Sequence, residues 1–137
     1  MNIHYPALLT PDESGYCVQF VDLEEAFTEG GTLDEALFNA AEVLTLTLDA
    51  RMEENLPIPE PASGVESAYY VAPDAKTQAA LLVRRARGDR PLADLARALE
   101  TSWPAARRLE DGSHWPSLKQ LDKAAAALGK RLVLSFE

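Results

Sequence analysis

The stretch FVDLEEAFTEGGTLDEAL, residues 20–37, passes from strand to helix, and it carries Asp22, Glu24, Glu25, Glu29, Asp34 and Glu35 with no lysine or arginine. Gly30 and Gly31 supply backbone freedom where a Cβ is penalised, and Thr32 with Glu35 forms the T-x-x-E capping box that opens a helix. Asp34 and Glu35 in its first turn suit the positive end of the helix dipole. Beyond them Leu33, Leu37, Ala40 or Ala41, Leu44, Leu48 and Met52 recur at three- and four-residue spacing, which predicts one apolar helix face up to about Asn55. A helix of that kind covers a sheet.

The strands lie on the N-terminal side. NIHYPALLT (2–10) and YCVQFV (16–21) are short apolar and alternating runs separated by the turn formers PDESG, which predicts a hairpin, and AFTEG (26–30) adds a third strand. PIPEP (57–61) is a stiff extended connector that cannot be helix. SAYYVA (67–72) predicts one more strand returning to the sheet, and the domain boundary is placed after it, near Pro73. The two predicted domains are 1–72 and 73–137.

After Pro73 the chain changes character. DAKTQAALLVRRARG, PLADLARALE, SWPAARRLED and SLKQLDKAAAALG predict four short helices, with Gly88, Gly112 and Gly129 in stopping positions. The closing KRLVLSFE (130–137) alternates as a strand and presents Leu132, Leu134 and Phe136 on one face. Having no partner in a helical domain, it is expected to pair with the acidic domain's sheet or with a second copy, giving a homodimer. The fold class is therefore α+β: a small antiparallel sheet with one long helix, then a helical domain with a terminal strand.

Charge divides the chain in the same way. Residues 1–68 hold fourteen acids against one base, Arg51, a net −13; residues 69–137 hold eight acids against twelve bases, a net +4; together these make the −9 of the whole chain. An acidic half attracts basic surfaces, and a basic half can approach nucleic acid. The 47% apolar content is that of a folded protein, and no run is long enough to span a bilayer, so a soluble cytoplasmic protein is expected. The one cysteine, Cys17, sits in an alternating run and is expected to be a small buried or half-buried hydrophobe.

The strongest chemical signal lies between Leu92 and Leu109. Leu92, Leu95, Ala96 and Leu99 form one inward face, Glu100 and Thr101 make a turn, and Ser102 caps a second helix with Ala106 and Leu109 inward. This is helix-turn-helix spacing. Ser102, Trp103, Ala105, Arg107 and Arg108 would then face a DNA major groove. Arg97, Lys119 and the helix N-terminus at Ser117 would contact phosphates. Trp103 and Pro104 stand where such modules carry polar side chains, so base reading falls to Arg107 or Arg108 and to apolar contact with thymine methyls. The plainer alternative is a helical bundle with solvated arginines.

Clustered acids can hold Mg²⁺ for a nuclease. Yet Asp12 and Glu13 fall in a turn, Glu24, Glu25 and Glu29 lie along a strand edge, and no pair is spaced to enter one pocket. Solvated acids, or acids offered to a basic partner, account for the density without catalysis. His4 and His114 lack ligand-spaced neighbours, and no Ser-His-Asp, P-loop or dinucleotide motif occurs, so neither an enzyme nor a cofactor is expected. A stand-alone transcriptional regulator whose acidic domain senses a ligand or protein is the other reading.

The run YPALLTPDESGYCVQFVDLEEAFTEGGTLDEALFNAAEVL, followed by LADLARAL, RRLED and LKQLDKAAAALGKRL, resembles the HicB antitoxins of bacterial HicA–HicB toxin–antitoxin modules, in their helix-turn-helix subtype. The resemblance implies a partial ribonuclease-H-like N-terminal domain without catalytic carboxylates. Its partner would be a small basic HicA-type toxin that cleaves mRNA, met at Asp22, Glu24, Glu25 and Glu29. It also implies repression of the shared promoter through operator DNA, by a dimer or, through the N-terminal sheets, a tetramer. Glu100 stands where that family commonly has glycine.

Overall fold

A computed structural model describes residues 1–137. Strands β1 (Tyr5–Asp12), β2 (Gly15–Phe20) and β3 (Phe27–Gly30) precede helix α1 (Leu33–Glu53) and strand β4 (Tyr69–Val71). The sheet is antiparallel throughout, in the order β3-β2-β1-β4. Asp12 pairs with Gly15, so Glu13 and Ser14 form a two-residue hairpin turn, and Asp12 Oδ1 accepts from Ser14 N at 2.8 Å. α1 opens on Thr32, whose side chain accepts from Glu35 N at 3.1 Å; this is the N-cap half of the expected capping box, and the Glu35 side chain does not return a bond to Thr32 N–H. Its inward face is Ala36, Ala40, Leu44, Leu48 and Met52, packed on Tyr5, Ala7, Val18, Phe20 and Val71.

Gly30 is required by proximity. It is buried, and a Cβ there would stand 2.4 Å from the backbone nitrogen of Ala36. Only a residue without a side chain lets the strand end lie against the helix start.

Four helices follow: α2 (Ala75–Arg87), α3 (Leu92–Ala98), α4 (Trp103–Arg108) and α5 (Leu118–Ala127). Asp74, Ser102 and Ser117 cap α2, α4 and α5 through their side-chain oxygens. α2 contributes to two cores: Ala80 and Leu81 belong to the first, while Val83 packs with Leu95, Ala96, Ala106, Leu109, Ala124 and Leu128 in the second. α1, α3 and α5 end alike. The residue after each C-cap has positive φ, namely Asn55 (55°), Glu100 (53°) and Gly129 (72°), and paired backbone bonds close a Schellman turn; at α3 these are Thr101 N to Ala96 O and Glu100 N to Arg97 O.

Three expectations are corrected. The closing segment Lys130–Glu137 forms no strand within this chain. The free sheet edges are β3 and β4, whereas the tail runs beside α2 and ends at His4, whose Nε2 meets Glu137 Oε1 at 2.7 Å. Cys17 is exposed, because Val18 and Phe20 take the inward positions of β2 and strand alternation turns Cys17 outward. Gly112 does not stop α4; it lies against α1, as described below. No helix is long and apolar enough to cross a membrane.

Candidate functional site

With α1 on one face of the sheet, the other face is open across β3, β2 and the middle of β1, whereas Pro6 at the β4 side is buried. Strand register sets Leu8, Gln19 and Phe27 side by side, and Thr10, Cys17 and Glu29 in the next row. These residues line a shallow groove, with Leu8 and Phe27 exposed. Asp12 closes one end: its carboxylate accepts from the Cys17 thiol at 3.0 Å and from Ser14 N–H, which holds it below the usual carboxylate range. The same bond, with the nearby negative charge, pushes the Cys17 thiol up from its ordinary value.

The four candidate acids are not equivalent. Glu24 and Glu29 are exposed, and neither side chain takes part in an ion pair or hydrogen bond. Glu25 accepts two hydrogen bonds from Arg51, at 2.7 and 2.8 Å, and the guanidinium lowers its pKa. Asp22 is half-buried and accepts from Ala62 N at 3.0 Å. Arg51 also donates to Pro57 O at 2.9 Å and Tyr5 Oη to Pro59 O at 2.7 Å. Asp22, Glu25, Arg51 and Tyr5 thus strap the proline-rich connector to the sheet. Burial pushes Tyr5 up to about 12, although the positive Arg85 beside it pulls the other way.

In the helical region, α3 and α4 meet through the Schellman turn and the buried Ala96, Ala106 and Leu109. Ser102 Oγ accepts from Ala105 N at 3.2 Å, and Pro104 in the first turn fixes where α4 begins. Ser102, Trp103 and Arg108 are exposed, while Ala105 and Arg107 are half-buried. Arg107 and Arg108 hold no ion pair; both line a cleft shared with Glu53 of α1. Arg97 is exposed but bonded to Asp94 at 3.0 Å. Lys119 is exposed in the first turn of α5, which opens with a reciprocal capping box between Ser117 and Gln120.

Two features gave no signal in the sequence. Glu110, 3% exposed, receives two hydrogen bonds from Arg87 at 2.5 and 2.9 Å, which fastens the end of α4 to α2. The open sheet face was legible only in its alternation: residues out of phase with Ala7, Val18 and Phe20 must point away from α1.

The chain thus joins an acidic sheet region to a basic helical region, and comparisons with known proteins give its class. Residues 4–78, which span the sheet, α1 and the start of α2, match the family described as HicB_like antitoxin of bacterial toxin-antitoxin system. Antitoxin HicB 2 of Photorhabdus laumondii is 33% identical over 133 residues, 97% of this chain and 96% of the relative. Antitoxin HicB of Escherichia coli is 33% identical over 135 residues, 96% of this chain and 98% of the relative. The chain belongs to the HicB antitoxin family. Membership of an antitoxin family implies a toxin as partner.

Proposed function

We propose that the chain neutralises a small basic, mRNA-cleaving toxin of the HicA type in the cytoplasm, and that it represses its own operon by binding operator DNA. The N-terminal unit, proposed as a partial ribonuclease-H-like domain, presents carboxylates to a surface shaped for RNA phosphates. Acids can occupy that positive field and exclude RNA. The observation that carries the reading is that the family match, residues 4–78, coincides with the unit that holds the acid excess. Within it Glu24 and Glu29 are free to meet a partner, beside the exposed Leu8 and Phe27. Asp22 and Glu25 contribute field while holding the connector.

The second activity is assigned to α3 and α4 as a helix-turn-helix pair, with Ser102, Trp103, Ala105, Arg107 and Arg108 toward the bases and Arg97, Lys119 and the Ser117 helix start toward phosphates. Two copies would join through Lys130–Glu137, whose exposed Val133, Leu134 and Phe136 and unpaired backbone suit strand pairing across a twofold axis. Two reading helices so related would recognise half-sites about one helical turn, ~34 Å, apart.

The test uses a small basic toxin of the proposed HicA type. Added in equal amount, the chain is expected to abolish RNA cleavage by that protein, and the pair to shift a promoter fragment in gels. Cleavage that continues at full rate contradicts the antitoxin role. Promoter binding that needs no partner and changes with a metabolite would favour the stand-alone regulator.

A further inference from the structure

The four residues after α4, Glu110 to Ser113, fasten that helix to both of its neighbours. Glu110 takes its two hydrogen bonds from Arg87 of α2. Asp111 Oδ1 closes the turn by accepting from Ser113 N at 2.9 Å and Ser113 Oγ at 2.7 Å. Gly112 lies flat against α1: a Cβ there would stand 1.9 Å from Asp49 Oδ1 and 3.1 Å from Met52 Cε. Asp49 in turn accepts from Thr77 Oγ1 at 2.7 Å and faces Lys76 Nζ at 3.6 Å. α1, α2 and the end of α4 meet in one clasp, and α4 cannot swing away from α1 without parting it.

The clasp determines what Arg107 and Arg108 face. They wall a cleft whose opposite side is Met52 and Glu53, the last turn of α1. Neither arginine has a carboxylate partner within 4.0 Å, although Asp111, which lines the same cleft, lies in the field of Arg107. Glu53 is exposed and unpaired, and it sits at the C-terminal end of α1, where the negative end of the helix dipole disfavours an acid. Its own helix supplies no reason for a carboxylate there. Two arginines across the cleft do.

We infer that Glu53 is a built-in brake on DNA binding: its carboxylate occupies the positive field of Arg107 and Arg108 that a phosphate or base edge would otherwise use. The inference rests on the DNA-binding role proposed for α4. An entering phosphate must compete with a carboxylate whose helix the clasp keeps beside α4. Exposed charges are screened over ~8 Å at physiological ionic strength, so the acids that matter are those lining this cleft, and Glu53 is the one that α1 contributes. A cation-rich partner that drew Glu53 away would release the brake.

The test compares Glu53→Gln with Glu42→Gln in the full chain. Glu42 is also exposed and unpaired on α1, but it lines a different groove, with Phe38 and Leu46. The two variants therefore change net charge equally at different distances from the arginines. Affinity for a short duplex of mixed sequence is read by fluorescence anisotropy at low and high salt. Glu53→Gln is expected to bind about threefold tighter than the parent at low salt, with the gap closing as salt rises, while Glu42→Gln matches the parent. Equal tightening by both variants would show that only net charge matters and would overturn the brake. So would no change in either. If none of the three forms binds duplex DNA even at low salt, the brake and the proposed DNA role fall together.

Discussion

The sheet region and the helical region are stabilised by different means, and the difference bears on which of their residues are free to act. The first buries Tyr5, Phe20, Leu23, Leu44, Leu48 and Met52 in one continuous core. Side chains of this size contribute roughly 1.5–3 kcal/mol each on burial. The second core is smaller and has Ala96, Ala106 and Ala124 at its centre. It therefore leans on polar devices: the caps at Asp74, Ser102 and Ser117, the turn at Glu100, and the Arg87–Glu110 pair. Where the core is deep, surface acids such as Glu24 and Glu29 can stay unpaired. Where it is shallow, a buried pair such as Arg87–Glu110 becomes structural, while Arg107, Arg108 and Lys119 hold no ion pair.

The largest expected effects test that contrast directly. Phe20→Ala should cost about 3–5 kcal/mol, since it empties a fully enclosed site. Glu110→Ala, a change that looks superficial in the sequence, should cost about 2–4 kcal/mol because it leaves Arg87 facing a buried wall without its partner. Urea denaturation measures both, and a loss below ~1 kcal/mol for Glu110→Ala would break the contrast, being the ordinary effect of a surface change.

Truncation sharpens it next. A fragment ending at Ala72 lacks Ala80 and Leu81, which sit in the first core. It should be less stable by about 2–3 kcal/mol than one ending at Gly88, judged by the area those side chains bury. Equal stability of the two fragments would show that α2 adds nothing to the sheet region.

The turn at α3 offers a smaller effect of opposite sign. Glu100 holds φ 53°, a left-handed conformation that penalises side chains. Glu100→Gly should stabilise the chain by about 0.5–1 kcal/mol, seen as a higher melting temperature. Destabilisation instead would mean that the Glu100 side chain matters beyond its backbone.

The smallest effect concerns Cys17. Its thiol pKa lies above the ordinary 9.0 because it donates to Asp12. At a fixed pH below that value a raised pKa means less thiolate, so alkylation should be slower than for a free thiol and should speed up in Asp12→Ala. By the same sign, any stability from this bond is present below the unfolded thiol pKa and lost as pH rises through the folded one. An unchanged rate in the variant would show that the bond does not form in solution.

Much of this was legible in the residues. The Thr32 cap, the apolar spacing of α1 and the Ser102 and Ser117 caps act locally, and local devices can be read from neighbours in sequence. The Arg87–Glu110 pair, the Asp22–Ala62 and Tyr5–Pro59 bonds of the connector strap and the contact of Gly112 with Asp49 join residues 23 or more positions apart. Periodicity says which face is apolar but not which distant polar groups will meet. Cys17 was readable and misassigned: parity with Val18 and Phe20 places it outside. Within its own chain the tail forms no strand for another reason, since alternation in Leu132, Leu134 and Phe136 describes a strand only where a partner strand meets it.

The central claim is that the acidic surface of the sheet region holds a basic toxin. Isothermal titration of the full chain with the small basic toxin proposed as its partner, for the parent and for a variant with Asp22, Glu24, Glu25 and Glu29 all reversed to lysine, tests it most directly. The account predicts saturable binding by the parent that weakens with salt, and a loss of at least about tenfold in the variant, which is only ~1.4 kcal/mol spread over four charges. The parent's affinity retained in a folded variant would contradict it and move the interface away from these acids.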